Sequence, residues 1–209
     1  MIFKRSIKFY AAHRNQHLND KCSSLHGHRY QIDYSTEVKR GAGGNGFDIT
    51  TLFADFEGPE AEVIRCFDHS TMIDIEDPLA DVLVRFALTD RSSKWRITLF
   101  RAATSAENLA TFAFTELNRL LSGRVQELSL RETDSTLITM EAAWWRKDLM
   151  RFSTTESRWP VKIDEYMSYI LPINFEKRDV WSSHINLDRP IIPQILQYYH
   201  LIDWRLRTC

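Results

Sequence analysis

The chain has 209 residues, of which 44% are hydrophobic, and this suits one globular domain or one domain with an appendage. Its 27 Lys and Arg residues balance 28 Asp and Glu residues, so no basic excess points to a nucleic-acid or membrane-surface partner. No apolar run approaches the ~20 residues that span a bilayer, and no signal peptide is visible. Three scattered cysteines argue against a disulfide framework. We therefore expect a soluble, cytoplasmic protein.

Two β-strands are predicted at the start of the chain. Apolar residues occupy odd positions from Phe3 to His13, which is the period of a strand with one buried face. From His26 onwards, aromatic and aliphatic residues alternate on even positions through Thr36, with polar residues on the odd positions through Glu37. Both strands are therefore expected to turn one face towards a core.

The next segment is predicted to be helical after a glycine-rich loop at 41–46. Residues 48–56 form a helix that Gly58 and Pro59 would stop, and a short second helical segment runs to about Phe67.

The following segment predicts a strand, a helix and a hairpin. A short strand is expected over 94–100. A capping box from Thr104 to Glu107 begins an amphipathic helix, and strands follow at 125–133 and 135–142. The element order β-β-α-(β)-α-β-β indicates an α+β fold with antiparallel hairpins.

The composition changes after about residue 143. Five of the six tryptophans follow that point: Trp144, Trp145, Trp159, Trp181 and Trp204. So many aromatic residues argue against disorder. We expect a folded appendage that packs on the domain or on a neighbouring subunit.

Three histidines form a candidate metal site. His26 and His28 are two residues apart and share one strand face, and His13 ends the first strand on its apolar face. If the two strands pair as a hairpin, three imidazoles converge, and three neutral imidazoles with an open fourth position suit catalytic zinc. The alternative is an ordinary, partly buried histidine, which is our interpretation for three others: His17, His184 and His200.

Cys22 is a candidate catalytic thiol. It lies in a polar loop four residues before His26 and directly follows Lys21. A nearby cation and a nearby metal would both favour the thiolate. Cys66, on an apolar helix face, is expected to be a small buried filler, and Cys209 an exposed terminus.

Two further positions carry acid–base or binding potential. Asp68 directly precedes His69, and a histidine held by a carboxylate can carry a proton near neutrality. Glu132 shares the strand face of Leu128 and Leu130, so its carboxylate needs a partner. The paired N–H donors of a pterin or guanine edge would supply one, and a buried salt bridge to an arginine is the alternative.

These motifs, in this order, resemble the 6-pyruvoyltetrahydropterin synthase family. They are Ala11-Ala12-His13, Cys22-Ser23-Ser24-Leu25-His26-Gly27-His28, Asp68-His69, Ser105-Ala106-Glu107-Asn108-Leu109-Ala110 and Glu132-Thr133. The closest branch is 6-carboxytetrahydropterin synthase, of queuosine and 7-deazaguanine biosynthesis, because the pyruvoyl enzymes usually have a longer gap between the cysteine and the histidine pair.

The resemblance implies a tunnelling fold (T-fold) over residues 1–142, with a four-stranded antiparallel sheet and two helices on one face. A Trp-rich C-terminal extension, 143–209, would follow. Family members are typically hexamers, so the resemblance also implies a homo-oligomer with active sites at subunit interfaces, and no nucleic-acid or membrane partner.

The resemblance further implies residue roles and a reaction. Zn²⁺ is bound by His13, His26 and His28, Cys22 is the general base, Asp68 and His69 form a proton relay, Glu132 anchors the pterin, and Ser105 and Glu107 lie near it. The substrate is 7,8-dihydroneopterin triphosphate, and the products are 6-carboxytetrahydropterin, acetaldehyde and triphosphate.

The sequence also departs from the family. Thr104 replaces the family's proline before the motif that begins at Ser105, and an insertion of about 75–93 follows Asp68-His69. Candidates for the triphosphate site rest on charge alone: Lys21, Arg14 and Arg29. A 6-pyruvoyltetrahydropterin synthase and a non-catalytic, zinc-stabilised binding protein remain the alternative functions.

Overall fold

The computed structural model describes residues 2–38, 52–90, 95–143, 170–174 and 185–201. The strands are β1 (Ile2–His13), β2 (His26–Glu37), β3 (Ser70–Asp74), β4 (Arg96–Phe100), β5 (Val125–Thr133), β6 (Thr136–Glu141) and β7 (Ile170–Asn174). The helices are α1 (Ala54–Phe67), α2 (Pro78–Thr89), α3 (Ala106–Leu120) and α4 (Ile191–Leu201), with a 3-10 turn at Lys21–Ser23. In the described part of the chain, no helix is long and apolar enough to cross a membrane.

The strands form one mixed sheet in the order β6-β5-β2-β1-β3-β4-β7. β5 runs antiparallel to β2 and β6, β3 is parallel to β1 and β4, and β7 is antiparallel to β4. The α+β class is confirmed, and the four expected strands β1, β2, β5 and β6 lie side by side. Among the described residues the sheet has seven strands rather than four. β3 and β4 are joined through α2, the kind of crossover that parallel strands require, and β7 pairs with β4.

The described residues fall into two compact units. Of these residues, the first unit contains 2–9, 28–38, 52–65 and 105–143, and the second contains 10–27, 66–90, 95–104, 170–174 and 185–201. Strands β1 and β2 contribute residues to both units. The division into a domain and an extension at residue 143 stays a prediction.

Helix α1 is continuous over Ala54–Phe67, so the predicted break at Gly58 and Pro59 is wrong. The predicted start at residue 48 lies outside the described residues. Pro59 removes a main-chain hydrogen bond and costs about 3 kcal/mol inside a helix. Burial of Phe56 and Phe67 on one face of the helix contributes about 1.5–3 kcal/mol each and offsets that cost.

The predicted insertion folds as α2 and shares a core with α4 of the C-terminal segment. The core contains Ile73, Ala80, Val84, Ala87, Ile97, Leu99, Ile191, Ile192 and Ile195. Asp81 of α2 accepts hydrogen bonds from the main-chain N–H groups at the start of α4, and it pairs with Arg85 at 3.0 Å. Burial alone would raise the pKa of Asp81, but these N–H groups and Arg85 lower the pKa below its usual range.

The cysteines differ from expectation at one position. Cys66 is buried, as expected, but it is disulfide-bonded. With three cysteines, not every cysteine can be in a disulfide bond, but one disulfide bond can still form. Cys22 is free.

Candidate metal centre

The structure brings the three predicted histidines together. His13 ends β1 and is 1% exposed, while His26 and His28 begin β2 and are half-buried. One ligand atom from each residue lies within 4.8 Å of the others, and the rings of His13 and His26 have centroids 4.6 Å apart. Gly27 allows this approach, because a Cβ there would lie 3.3 Å from the main-chain oxygen of Ala11.

Main-chain carbonyls set the tautomers of two of these histidines. His13 Nδ1 lies 2.7 Å from the oxygen of Thr104, and His26 Nδ1 lies 2.7 Å from the oxygen of Ser24. A carbonyl oxygen only accepts, so both Nδ1 atoms carry a hydrogen, and in the neutral tautomer of each ring Nε2 then has the lone pair that can bind a metal. Such a bond on the far side of the ring is the usual support of a metal-binding histidine. The donor set therefore fits zinc.

Thr104 is a site residue that the sequence analysis did not identify. It is completely buried, and besides its carbonyl bond to His13 its hydroxyl donates to the main-chain oxygen of Arg14 at 3.0 Å. The only signal in the sequence was that threonine stands where the family has proline.

The predicted capping box at Thr104 is wrong, because Ser105 is the N-cap of α3. The hydroxyl of Ser105 accepts a hydrogen bond from the N–H of Asn108 at 3.4 Å. Thr104 cannot serve as the cap because its hydroxyl is bound to Arg14. Glu107 is exposed in the first turn of the helix, where a negative charge is favourable.

Cys22 lies in the 3-10 turn between β1 and β2 and is partly exposed. Its N–H donates to the Asp20 carboxylate at 2.7 Å, and its carbonyl accepts from the N–H of Asn15 at 2.9 Å. Asn15 is two residues beyond His13, so this second bond ties the thiol-bearing turn to the end of the ligand strand.

Asp68 and His69 form the expected pair, with 2.8 Å between Oδ2 and Nδ1. Asp68 also accepts from the N–H of Tyr10 at 3.0 Å, and the N–H of His69, at a φ of 56°, donates to the oxygen of Tyr10. The pair lies outside the group of metal-ligating atoms. Tyr10, which binds the pair, precedes His13 by three residues, or about 10 Å along the strand. The His69 side chain is 74% exposed.

Glu132 follows the buried Leu128 and Leu130 on β5, at a point where the pairing of β5 with β6 shifts register. The hydroxyl of Tyr30 donates to its Oε1 at 3.2 Å, and the ring of Tyr30 meets the ring of His28 edge-on at 5.7 Å. Burial, followed by the charge and hydrogen bond of Glu132, raises the pKa of Tyr30 far above its usual range. The side chain of Tyr30 therefore contacts both Glu132 and the candidate metal ligand His28.

A family model described as 6-pyruvoyl tetrahydropterin synthase matches residues 2–143, about two-thirds of the chain. The chain belongs to this family. A curated relative, the probable 6-carboxy-5,6,7,8-tetrahydropterin synthase of Halobacterium salinarum, is 25% identical over 135 residues, covering 65% of this chain and 81% of that protein.

Two solved structures are also similar. An uncharacterized protein from Wolinella succinogenes has a TM-score of 0.51 at 18% identity and covers 68% of this chain and 97% of its own. The 6-pyruvoyl tetrahydropterin synthase of Caenorhabditis elegans has a TM-score of 0.46 at 20% identity and covers 68% of this chain and 94% of its own. The fold class and the family that the motifs predicted are confirmed.

Proposed function

We propose that this chain is a zinc-dependent lyase that converts 7,8-dihydroneopterin triphosphate and one water molecule to 6-carboxy-5,6,7,8-tetrahydropterin, acetaldehyde and triphosphate. Family membership and the name of the Halobacterium relative support the reaction. The single observation that carries the proposal is the group of three imidazoles with ligand atoms within 4.8 Å. The reaction would belong to queuosine and 7-deazaguanine biosynthesis, and a cytoplasmic location stays a prediction.

In this proposal the three histidines bind the metal and Cys22 acts as the general base. A zinc ion held by His13, His26 and His28 supplies a Lewis acid that makes C–H groups beside a bound oxygen more acidic. Cys22, on a turn tied to the end of β1, accepts the proton that leaves such a carbon. The negatively charged carboxylate of Asp20 accepts a hydrogen bond from the N–H of Cys22, and a negative charge so close disfavours a thiolate. We therefore expect the positive charge of the bound metal to be what favours the thiolate.

Glu132 binds the pterin ring in this proposal. Its carboxylate accepts one hydrogen bond from Tyr30 and retains further acceptor capacity for two N–H donors of a ring edge. By family resemblance, Ser105 and Glu107 at the start of α3 lie near the bound ring.

Asp68 and His69 act as a proton relay in a homo-oligomer, which the family resemblance suggests is a hexamer. The carboxylate fixes the ring of His69 through Nδ1, so Nε2 is the atom that exchanges a proton. The exposure of His69 in a single chain, at 74%, suits a role at an interface between subunits.

The test is to incubate the zinc-loaded protein with 7,8-dihydroneopterin triphosphate and to identify the products by mass spectrometry, with acetaldehyde trapped. We expect 6-carboxytetrahydropterin and acetaldehyde in equal amounts. Cys22→Ala should retain zinc and lose turnover by roughly 10²- to 10⁴-fold, the usual contribution of a general base. Ser23→Ala, in the same turn, is the matched control and should retain activity.

Other outcomes separate the alternatives. A pyruvoyl product without acetaldehyde would move the chain to the other branch of the family and keep the site. Bound zinc without turnover, and no effect of Cys22→Ala on any measured property, would favour a non-catalytic binding protein.

A further inference from the structure

Arg14, the residue directly after the candidate ligand His13, is held at two points. Its main-chain oxygen accepts from the hydroxyl of Thr104 at 3.0 Å, and its Nε lies 2.9 Å from Oδ2 of Asp77. The two holding residues come from different segments, one preceding α3 and the other in the insertion. The end of β1 is thus fixed from both sides.

Asp77 is a buried residue that also caps helix α2. Its side chain is 1% exposed, and its other oxygen caps α2 by accepting from the N–H of Leu79 at 2.8 Å. A buried carboxylate needs a compensating charge, and Arg14, whose side chain is 25% exposed, provides it. This ion pair uses the charge of Arg14, which weakens its case as a triphosphate ligand.

Thr104 contacts two consecutive residues, the last residue of β1 and the residue that follows it. Its carbonyl orients the ring of His13 through Nδ1, and its hydroxyl holds the main chain of Arg14. The position of the Thr104 carbonyl relative to β1 therefore depends on the hydroxyl bond and on the placement of Arg14 by Asp77.

We propose that Thr104 and Asp77 form a clamp on the His13–Arg14 segment and are positioning residues that present His13 Nε2 to the metal. The proposal rests on the metal site of the proposed function. It also gives the insertion a role, since Asp77 joins α2 to the ligand strand.

The test compares Thr104→Val and Asp77→Asn with the wild type in binding Co²⁺, a spectroscopic substitute for zinc. Valine replaces the hydroxyl with a methyl group of similar size, and asparagine keeps a good helix cap while removing the charge. The readouts are the dissociation constant by chelator competition and the visible absorption of the bound cobalt. We expect each variant to bind Co²⁺ about tenfold more weakly or worse, as for other partners of metal ligands, with an altered absorption spectrum.

Two variants serve as matched controls. Thr98→Val removes a buried hydroxyl that donates to the Cys66 carbonyl, and Asp81→Asn removes a charge from α2, the helix that Asp77 caps. Both should lower the melting temperature and leave the dissociation constant within about twofold. The double variant Thr104→Val/Asp77→Asn should lose less affinity than the product of the single losses, because both residues act through Arg14.

Each contrary result has a distinct meaning. Wild-type affinity and spectrum in Thr104→Val and Asp77→Asn would overturn the clamp. An equal loss of affinity in the two controls would also overturn it, because general destabilisation would then explain the effect. Failure of the wild type to bind Co²⁺ or Zn²⁺ would overturn the metal centre itself.

Discussion

Main-chain carbonyls orient two of the candidate ligands, His13 and His26, each through Nδ1. The orientation of these rings is therefore part of the backbone fold and does not depend on the identity of a neighbouring side chain. Substitutions around the site should change metal affinity by moving the main chain, which is the effect expected at Thr104.

Glu132 offers a direct test of ring recognition. Glutamine at this position keeps an acceptor for Tyr30 but loses the charge and can no longer accept two N–H groups equally well. A hydrogen bond to a charged group contributes about 1.5–3 kcal/mol, so we expect kcat/KM to fall roughly 10- to 150-fold in Glu132→Gln. Steady-state kinetics of this variant against Glu127→Gln, an exposed position on the same strand, measures the effect. Equal kinetics in the two variants would contradict the assignment of Glu132.

Asp74 predicts a pH dependence of stability. Its carboxyl is buried at the end of β3, and burial, with the nearby charges of Glu76 and Asp77, raises its pKa despite a hydrogen bond from the N–H of Glu76 and the charge of His17. A carboxyl whose pKa is higher in the folded state favours folding at low pH, and this contribution is lost as the pH rises through the folded pKa.

Asp74→Asn should therefore become more stable relative to the wild type as the pH rises above about 4, the unfolded pKa of aspartate. Urea unfolding at a series of pH values between 4 and 8 measures the difference. Asp134→Asn, in the exposed turn between β5 and β6, provides the comparison. A difference between Asp74→Asn and the wild type that is constant with pH would refute the prediction.

At the residue scale, alternation along β2 was sufficient to place His28 on the same strand face as the buried Tyr30. Thr104 could not be found in this way, because its two bonds join it to residues 91 and 90 positions earlier in the chain. A local pattern gives the direction of a side chain within its own strand. It does not give the segment that packs against it.

At the element scale, the local sequence pattern predicted helix α3 correctly and helix α1 incorrectly. The apolar stripe of α3 was sufficient to predict it, and Leu109, Ala110, Ala113 and Leu117 are buried along it. The stop predicted within α1 was wrong because local propensity at Pro59 was outweighed by tertiary burial.

Helix α1 is also tied to the sheet by Glu60. Its carboxylate receives two hydrogen bonds from Arg5 of β1, at 2.8 and 2.7 Å, and one from the Tyr34 hydroxyl of β2 at 2.6 Å. Loss of one partner of a buried ion pair costs about 3–5 kcal/mol, and the partial exposure of Arg5 places this case at about 3 kcal/mol. We expect Glu60→Ala to lower the free energy of unfolding by that amount in urea denaturation.

Glu62 on the same helix is the matched control. It pairs with Arg65 at 2.8 Å on a surface where Arg65 is half exposed. Glu62 is 23% exposed, and ion pairs at the surface contribute about 0–1 kcal/mol, so Glu62→Ala should lose clearly less stability than Glu60→Ala. Similar losses in the two variants would show that burial does not govern the effect of Glu60.

At the scale of the whole molecule, motifs in the first 142 residues predicted the family and the four strands shared with it. The motifs could not predict that the insertion and the C-terminal segment meet. Val84 of α2 and Ile195 of α4 belong to one core although they lie far apart in the chain. In the sequence alone, each segment shows only apolar positions that must be buried against some other part of the protein.

Metal binding should stabilise the whole fold if His13, His26 and His28 form the site. A ligand that binds only the folded state adds about 4.1 kcal/mol at a free concentration a thousandfold above its Kd. For a chain of 209 residues, each kcal/mol corresponds to roughly 2–4 °C, so saturating zinc should raise the melting temperature of the metal-free protein by about 8–16 °C. Scanning calorimetry with and without a chelator measures the shift. His13→Ala should show no such shift, whereas His17→Ala, at an exposed position in the next loop, should retain it; an equal zinc shift in both would mean that the ion binds elsewhere.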